Sequence, residues 1–183
     1  MDVFWQQLLS SLKPTIMCHS LAELDFAELA ERGIYYYIID VDNTLAPRKF
    51  RQCTLSIRQA LQSAVEQGYI KRMVLVSNVG NYDAARCGRV EQIAQELGAA
   101  FVCAYWPHIK PDPAPFLEGI KLMPGANLDN TVMIGDQIFT DVKGGNRLNL
   151  TTVYVDPLGP DHWVTSWKRV IEKIIFRITG WRQ

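Results

Sequence analysis

What the sequence lacks narrows the class of protein before any motif is considered. The chain of 183 residues has no net charge, because 19 basic residues balance 19 acidic ones, so its overall field does not indicate a nucleic-acid partner. No apolar run approaches the ~18 residues that a membrane-spanning helix needs. Internal repeats and low-complexity segments are also absent from the sequence. A globular protein with a single domain over residues 1–183 is expected from this length.

Cysteine is scarce and irregularly spaced. Cys18, Cys53, Cys87 and Cys103 show none of the paired spacings of a zinc site or a redox dithiol. We therefore expect free thiols in a reducing compartment. The amino terminus has Asp2 where a secretory signal needs positive charge followed by a long apolar run. Both features predict a cytoplasmic protein.

The most informative stretch runs from Ile34 to Leu45. Its first six residues, from Ile34 to Ile39, are apolar or aromatic, which predicts a strand buried on both faces as in a parallel sheet. The run leads directly into Asp40 and Asp42. Open α/β sheets bind ligands at the carboxyl ends of such strands. Two acids brought out onto that edge favour neutralisation by a divalent cation.

Apolar segments that end in small polar or acidic residues recur further along the chain. Residues 72–78 end in Ser77 and Asn78, and residues 131–136 end in Asp136, with Asp141 following soon after. Helical patterns alternate with the strands, at residues 1–12, 20–30, 55–66, 82–97, 114–122, 138–148 and 163–178, and shorter strands are predicted at 100–103 and 151–155. This alternation predicts an α/β fold, a Rossmann-like three-layer sandwich around a central parallel sheet.

The polar residues at these strand ends form a set that suits phosphoryl transfer. A few carboxylates can hold one Mg²⁺ ion, with water and substrate oxygens in its remaining positions. Lys110, on a proline-rich loop, makes a receptor for an anion such as phosphate together with Ser77 and Asn78. One of the aspartates Asp40 and Asp42 can attack phosphorus while the other protonates the leaving oxygen. Taken singly, Asp40 and Asp42 are explained equally well as a turn or a cap, and Ser77, Lys110 and Asp136 are more often a turn, a solvated loop or a cap.

In this order along the chain, the motifs resemble the haloacid dehalogenase superfamily of phosphatases. The residues that carry the resemblance are Asp40-Val-Asp42-Asn-Thr44 for its first motif, Ser77 for the second, Lys110 for the third, and Gly135-Asp136-Gln-Ile-Phe-Thr-Asp141 for the fourth. The resemblance implies that Asp40 is the nucleophile and Asp42 the general acid and base. It implies a Mg²⁺ site formed by Asp40, Asp42 through its backbone, Asp136 and Asp141. It also implies that Ser77 and Lys110 bind phosphate.

The lengths between these motifs predict that the protein has no large cap domain. Between Asp40 and Ser77, and again between Ser77 and Lys110, the chain has room for a flap or loop, a helix and a strand. Capless members of the superfamily often act on large substrates, which themselves cover the site. We therefore divide the chain into amino-terminal helices at residues 1–33, a catalytic core at 34–155 and a carboxyl-terminal amphipathic helix at 156–183.

A flap with three basic residues is expected over the strand end, at residues 46–51. Beside a phosphate site, Arg48, Lys49 and Arg51, together with Thr44, are candidate substrate contacts. The basic residues can meet a second phosphate of the substrate. The alternative is that they form a solvated loop without a ligand.

A closer resemblance concerns the runs Asp40 to Pro47, Gly135 to Asn146 and Val155 to Leu158. They are similar to a capless subfamily, IIIA, that includes phosphatidylglycerophosphate phosphatases of the mitochondrial type. This implies removal of the terminal phosphate of that lipid in phosphatidylglycerol synthesis. Two alternatives stay open: a phosphatase of other soluble or macromolecular phosphoesters, and a non-catalytic partner-binding protein on a phosphatase fold.

Both terminal segments are amphipathic and aromatic, and two interpretations apply to them. The tail also carries Lys168, Arg169, Lys173 and Arg177. Either the helices lie on an anionic lipid surface, as a peripheral contact at the inner face of a membrane, or they pack on the sheet and on each other. The first interpretation fits an anionic phospholipid as substrate.

Overall fold

The structure, a computed structural model, describes residues 3–81, 83–160 and 166–181. Helices and strands alternate in the order α1 (Val3–Leu12), β1 (Ile16–Cys18), α2 (Phe26–Glu31), β2 (Tyr36–Ile39), α3 (Leu55–Glu66), β3 (Arg72–Gly80), α4 (Ala84–Leu97), β4 (Ala100–Tyr105), α5 (Ala114–Lys121), β5 (Thr131–Gly135), α6 (Lys143–Arg147), β6 (Thr151–Val155) and α7 (Ser166–Thr179). A short 3-10 helix at Leu21–Glu23 precedes α2, and a π-helical turn at Ile138–Val142 precedes α6.

The strands form one parallel six-stranded sheet in the order β1-β6-β5-β2-β3-β4. This confirms the predicted α/β class, and no large cap is evident among the described residues. The chain runs outward from β2 through β3 to β4 and then crosses to β5 on the other side of β2. Because the connections diverge there, the carboxyl ends of β5, β2 and β3 border the crevice in which such sheets bind ligands.

The two faces of the sheet carry separate apolar cores. Alternate residues of β2 point to opposite faces, so that Tyr37 and Ile39 belong to one core and Tyr36 and Ile38 to the other. The first core also takes apolar side chains from α2, α3 and α4. The second core is covered by α5, and beside it a third cluster joins α1, α7 and the π-helical turn to β6. Burial on both faces explains why β2 is apolar throughout.

The amino-terminal third departs from prediction in two places. The helix predicted at residues 20–30 is broken, because Leu24 is extended and Asp25 caps a new helix by accepting a hydrogen bond from the Glu28 N–H at 2.9 Å. Ser20 caps only the short 3-10 helix, with its Oγ 3.2 Å from the Ala22 nitrogen. Strand β1 was not predicted, because its three residues are too few to show a pattern.

Later elements match the predicted ones more closely. Helix α3 has the predicted bounds, whereas β3 and β4 each extend two residues further, to Gly80 and Tyr105. The helix predicted at 138–148 begins as the π-helical turn. The start of the predicted tail helix, residues 163–165, lies outside the described residues.

The expectation of four free cysteines is wrong for one pair. Cys87 of α4 and Cys103 of β4 form a disulfide, with their Cα atoms 5.7 Å apart, whereas Cys18 and Cys53 are free. The two bonded residues are 16 positions apart and meet only because α4 packs back along β4. No local spacing motif could reveal that contact, and the argument for a reducing compartment from cysteine use is weakened accordingly.

The helix α7 packs on the fold through one face. Phe176 lies edge-on against Tyr154 of β6 in the third cluster, to which Leu12 of α1 also belongs. Packing of the terminal helices on the sheet is therefore confirmed for this face, whereas Val170 and Ile174 on the opposite face are exposed. Among the described residues, no helix combines the length and apolarity required to cross a membrane.

Candidate active site

The candidate site lies where three adjacent strands end. Ile39 of β2 pairs with Leu75 of β3 on one side and Ile134 of β5 on the other. The next residue, Asp40, donates its backbone N–H to the Ile134 carbonyl oxygen at 2.9 Å. Parallel strands in register thus place Asp40 between β3, in its carboxyl-terminal half that includes Ser77, and the residues that follow β5.

Three buried carboxylates meet at this point. Asp40, Asp136 and Asp141 each offer an oxygen atom within 4.8 Å of the others. Gly135 makes the approach of Asp141 feasible, because a Cβ atom at residue 135 would lie 2.3 Å from the Asp141 carboxylate. The π-helical turn then holds that carboxylate, which accepts a hydrogen bond from the Gln137 N–H at 3.1 Å. The fourth motif of the sequence therefore has a steric as well as a chemical basis.

Lys110 bridges two of these carboxylates from its own loop. Its Nζ lies 2.6 Å from Asp40 Oδ1 and 2.8 Å from Asp141 Oδ1, and it donates to the Val76 carbonyl oxygen at 2.7 Å. The Asn78 side chain fixes the loop, because its Oδ1 accepts from the Lys110 N–H at 2.8 Å and its Nδ2 donates to the Lys110 carbonyl oxygen at 3.1 Å. The side chain expected to bind phosphate is thus occupied in positioning Lys110.

Burial and mutual contact control the protonation of Asp40 and Lys110. Burial raises the pKa of Asp40 to about 7, although the Lys110 ammonium group opposes the shift, and the neighbouring Asp141 and Asp42 add to it. Burial alone would lower the pKa of Lys110, but Asp141 and Asp40 together raise it above its ordinary value. Lys110 therefore stays charged, and Asp40 holds its proton in part at neutral pH unless another positive charge lies nearby.

Sequence reasoning missed a second cation that reaches the site from α7. The Arg169 guanidinium donates to both the backbone oxygen and the carboxylate of Asp136, and it lies 2.8 Å from Glu172 Oε2. Glu172 is buried and accepts from the Ile138 N–H at 3.0 Å, and burial raises its pKa. Of the two interpretations of the basic tail, Arg169 therefore follows the one in which the tail packs on the fold. Nothing in the tail pattern separates it from the other basic residues.

The buried acids in this centre outnumber the cations. Within the described residues, four buried acids (Asp40, Asp136, Asp141 and Glu172) face two cations (Lys110 and Arg169). If all of them are ionised, two negative charges remain, which is the charge that one divalent cation would neutralise. Because the ligands are oxygen atoms alone, the set fits a hard cation such as Mg²⁺.

The carboxylate of Asp42 lies apart from this cluster and is paired with Arg89 of α4. Arg89 Nη1 lies 2.7 Å from Asp42 Oδ1, its Nε donates to the Phe50 carbonyl oxygen at 2.6 Å, and its Nη2 donates to the Pro47 carbonyl oxygen at 3.4 Å. One guanidinium group therefore holds both Asp42 and the flap. Arg89 was also missed, because only the packing of α4 brings the middle of that helix to the end of β2.

The candidate substrate contacts fall into two groups. Thr44 is buried beneath the edge of the sheet, with its Oγ1 3.5 Å from Asp136 Oδ1. The basic residues of the flap, Arg48, Lys49 and Arg51, instead line an open cleft beside Asp42 and Ser77. The geometry brings the flap residues, but not Thr44, to a surface that a ligand can reach.

Comparison with known proteins agrees with this geometry. A family model described as HAD-hydrolase-like matches residues 109–157. The Bacillus subtilis protein named "Probable phosphatase YqeG" is 30% identical over 149 residues, which cover 81% of this chain and 80% of that protein. The chain belongs to the haloacid dehalogenase-like hydrolase family. Its relatives in this family identify it as a phosphatase.

Other similar proteins differ in their named substrates. The Chlamydomonas reinhardtii protein "Phosphatidylglycerophosphate phosphatase 1, chloroplastic" is 26% identical over 173 residues, covering 91% of this chain and 62% of that protein. The Streptococcus pneumoniae "Pyrimidine 5'-nucleotidase PynA" is 25% identical over 190 residues, covering 93% of this chain and 74% of that protein. A haloacid dehalogenase-like hydrolase from Brucella suis has a TM-score of 0.52 at 11% identity over 76% of this chain and 94% of that one, which shows the fold alone.

Proposed function

We propose that this phosphatase cleaves phosphate monoesters through an aspartyl-phosphate formed on Asp40, with Mg²⁺ as cofactor, and that its substrate is phosphatidylglycerophosphate. The observation that carries the catalytic part is the buried centre in which Asp40 lies beside Lys110, Asp136 and Asp141. The substrate is supported by the similarity to the Chlamydomonas reinhardtii phosphatase.

In the first step, a carboxylate oxygen of Asp40 attacks phosphorus and the bond from phosphorus to the ester oxygen breaks. Ser77 and the Lys110 ammonium group hold the phosphoryl oxygens in this mechanism, because Lys110 Nζ lies 2.6 Å from Asp40 Oδ1 and Ser77 lines the cleft beside Asp42. Asp42 donates its proton to the departing alcohol oxygen. Arg89 holds the Asp42 carboxyl group at the cleft, because Arg89 Nη1 lies 2.7 Å from Asp42 Oδ1.

In the second step, the Asp42 carboxylate takes a proton from water as the water oxygen attacks phosphorus. The acyl phosphate bond breaks, which restores the Asp40 carboxylate and releases inorganic phosphate. Asp40, Asp136, Asp141 and the backbone of Asp42 are the proposed ligands of Mg²⁺, which when bound neutralises charge on the phosphoryl oxygens. The excess of buried acids described above supports this ligand set.

The outer face of α7 supports a substrate at a lipid surface. Four apolar residues are exposed on it, namely Val170, Ile171, Ile174 and Ile178. Lys173 and Arg177 flank this stripe, and Glu172, the one acid within α7, is buried against the site. An apolar stripe bordered by cations suits the interface of an anionic bilayer. We propose that the protein binds the inner face of a membrane peripherally through α7.

Substrate profiling tests the proposed activity. With Mg²⁺, we expect phosphate release from phosphatidylglycerophosphate in vesicles to exceed that from pyrimidine nucleotides and aryl phosphates by at least about tenfold in kcat/KM, the factor that ~1.4 kcal/mol supplies. A nucleotide as the best substrate would favour the soluble-phosphoester alternative, for which the Streptococcus pneumoniae relative is the specific observation. Failure to hydrolyse any member of the panel would contradict the mechanism.

Vesicle flotation tests the membrane contact separately. Ile174→Glu and Ile178→Glu each place a charge in the exposed stripe, so we expect each to weaken binding to phosphatidylglycerol-containing vesicles by roughly tenfold. Leu128→Glu is the matched control. Leu128 is also exposed, but it lies just before the amino end of β5, at the end of the sheet opposite to the candidate site. Equal binding by all three variants would exclude α7 as the lipid-binding element.

A further inference from the structure

A cleft of about 380 Å³ opens beside the candidate site on the side of Asp42. Asp42, Ser77 and Asn78 line it where the strands end. The flap that follows β2 and the first two turns of α4 complete its walls. The cleft is therefore continuous with the position at which the proposed mechanism places the phosphate monoester.

The cleft has a strong excess of positive charge. Among the described residues that line it, Asp42 is the single acidic one. Five are basic, namely Arg48, Lys49, Arg51, Arg86 and Arg89. Arg89 contacts Asp42 and is also bonded to carbonyl oxygens of the flap. Arg86 lies 3.3 Å from Asp83, a neighbour that also caps α4. The Arg51 guanidinium lies 3.5 Å from the neutral Gln92 side chain.

Like charges in one cleft repel each other, so this arrangement costs free energy unless an anion occupies it. Guanidinium groups present paired donors that match the oxygen atoms of a phosphate group. Arg51 and Arg86 approach the cleft from separate elements, the flap and α4. Because Arg89 fixes the flap to Asp42, these two sides are held at a defined separation.

The position of the cleft decides which part of a substrate it would contact. Asp42 is the proposed proton donor, so the departing oxygen must lie within hydrogen-bond reach of its carboxyl group. The transferred phosphoryl group is held by Ser77 and Lys110, and in-line attack by Asp40 directs the departing oxygen away from Asp40. The group that extends past Asp42 into the basic cleft is therefore the leaving group.

We propose that this cleft is a second anion subsite, in which Arg51 and Arg86, assisted by Arg48 and Lys49, bind a phosphodiester carried by the leaving group. The subsite makes the enzyme selective for substrates with two phosphates, and Arg89 is a positioning residue for it. This inference rests on the proposed function, since the leaving group of phosphatidylglycerophosphate carries such a phosphodiester.

A pair of soluble substrates tests the subsite without a membrane. Glycerophosphoglycerol phosphate, the deacylated headgroup, has the second phosphate, and glycerol 3-phosphate lacks it. We expect the wild-type protein to prefer the first, and the Arg51→Gln/Arg86→Gln double variant to lose at least about tenfold of that preference, mainly through KM. Arg72→Gln is the matched control, because Arg72 is exposed at the amino end of β3, on the opposite edge of the sheet.

A second readout uses the product headgroup. Glycerophosphoglycerol carries the phosphodiester alone, so it should inhibit aryl phosphate hydrolysis competitively, and its inhibition constant should rise by a similar factor in the double variant. Thermal melting of the double variant and of Arg72→Gln checks that the fold is retained. Equal losses on both substrates, with an unchanged inhibition constant, would overturn the subsite.

The outcomes also separate the subsite from the proposed function. If vesicles of phosphatidylglycerophosphate are hydrolysed but the wild type shows no preference between the two soluble substrates, the subsite is wrong and the lipid assignment stands. If the deacylated headgroup is preferred and the preference depends on Arg51 and Arg86, but the lipid is not hydrolysed, the subsite stands and the lipid assignment is wrong.

Discussion

Asp40→Asn is expected to abolish phosphate release while the protein remains folded. The amide has the shape of the carboxylate but cannot form the acyl phosphate, so we expect kcat to fall by roughly 10³-fold or more. Phosphate release from an aryl phosphate with Mg²⁺ measures the loss, and circular dichroism checks the fold. Unchanged Mg²⁺-dependent hydrolysis would remove Asp40 from the role of nucleophile.

The same variant should change the pH dependence of stability. Burial raises the pKa of Asp40 from 3.8 to about 7, so between these values the folded protein holds a proton that the unfolded chain has lost. The resulting stabilisation is fully present below the lower value and is lost as the pH rises through the upper one. Because the amide does not titrate, the melting temperature of Asp40→Asn relative to wild type should increase from pH 5 to pH 8 in Mg²⁺-free buffer.

A matched substitution gives the control for this pH effect. Asp129 is exposed in the loop before β5, so Asp129→Asn should leave the pH dependence of melting as it is in the wild type. A difference between Asp40→Asn and wild type that stays constant with pH would contradict the raised pKa of Asp40.

Lys110→Met is expected both to inactivate the protein and to destabilise it. The substitution removes the ammonium group that lies between Asp40 and Asp141, at 2.6 and 2.8 Å from their oxygens, and leaves buried carboxylates without a cation. Breaking a buried ion pair in this way costs ~3–5 kcal/mol. Urea unfolding without Mg²⁺ should show a lower midpoint, and added Mg²⁺ should recover part of the loss by supplying positive charge.

Two further variants make this result specific. Lys121→Met removes an exposed lysine from the last turn of α5 and should leave both activity and the urea midpoint near wild type. Lys110→Met/Asp141→Asn removes one of the stranded carboxylates, so it should regain stability relative to the single variant without regaining activity. An unchanged urea midpoint for Lys110→Met would show that the carboxylates are not stabilised by its charge.

The catalytic side of the sheet could be predicted because burial leaves a local signal. A strand covered on both faces must be apolar throughout, as β2 is, and polar residues directly after it must then lie at the sheet edge. The carboxylates and Ser77 were found in this way and Lys110 on a proline-rich loop, and the structure brings Asp40, Asp136, Asp141 and Lys110 together. Their roles in catalysis stay predictions that the variants above test.

Contacts between elements that are far apart along the chain leave no local pattern in the sequence. Strand β1 is defined by its pairing with β6, the Cys87–Cys103 disulfide by the packing of α4 on β4, and the helix break at Asp25 by one cap. Arg89 and Arg169 both look like surface residues of amphipathic helices. Which side of a helix faces the sheet edge depends on packing across many residues, and helical periodicity does not encode it.

The sequence by itself determined the buried strand β2, although the strand begins at Tyr36 and not at the predicted Ile34, and it determined the order of the motifs and the acids at the sheet edge. These follow from hydrophobic periodicity and from residue type, which act over short distances along the chain. Only the tertiary structure decided which cations those acids meet: Lys110 and Arg169 in the buried centre, and Arg89 at Asp42. Electrostatic energy depends on distance through space, so the charge balance of the site is a property of the folded chain.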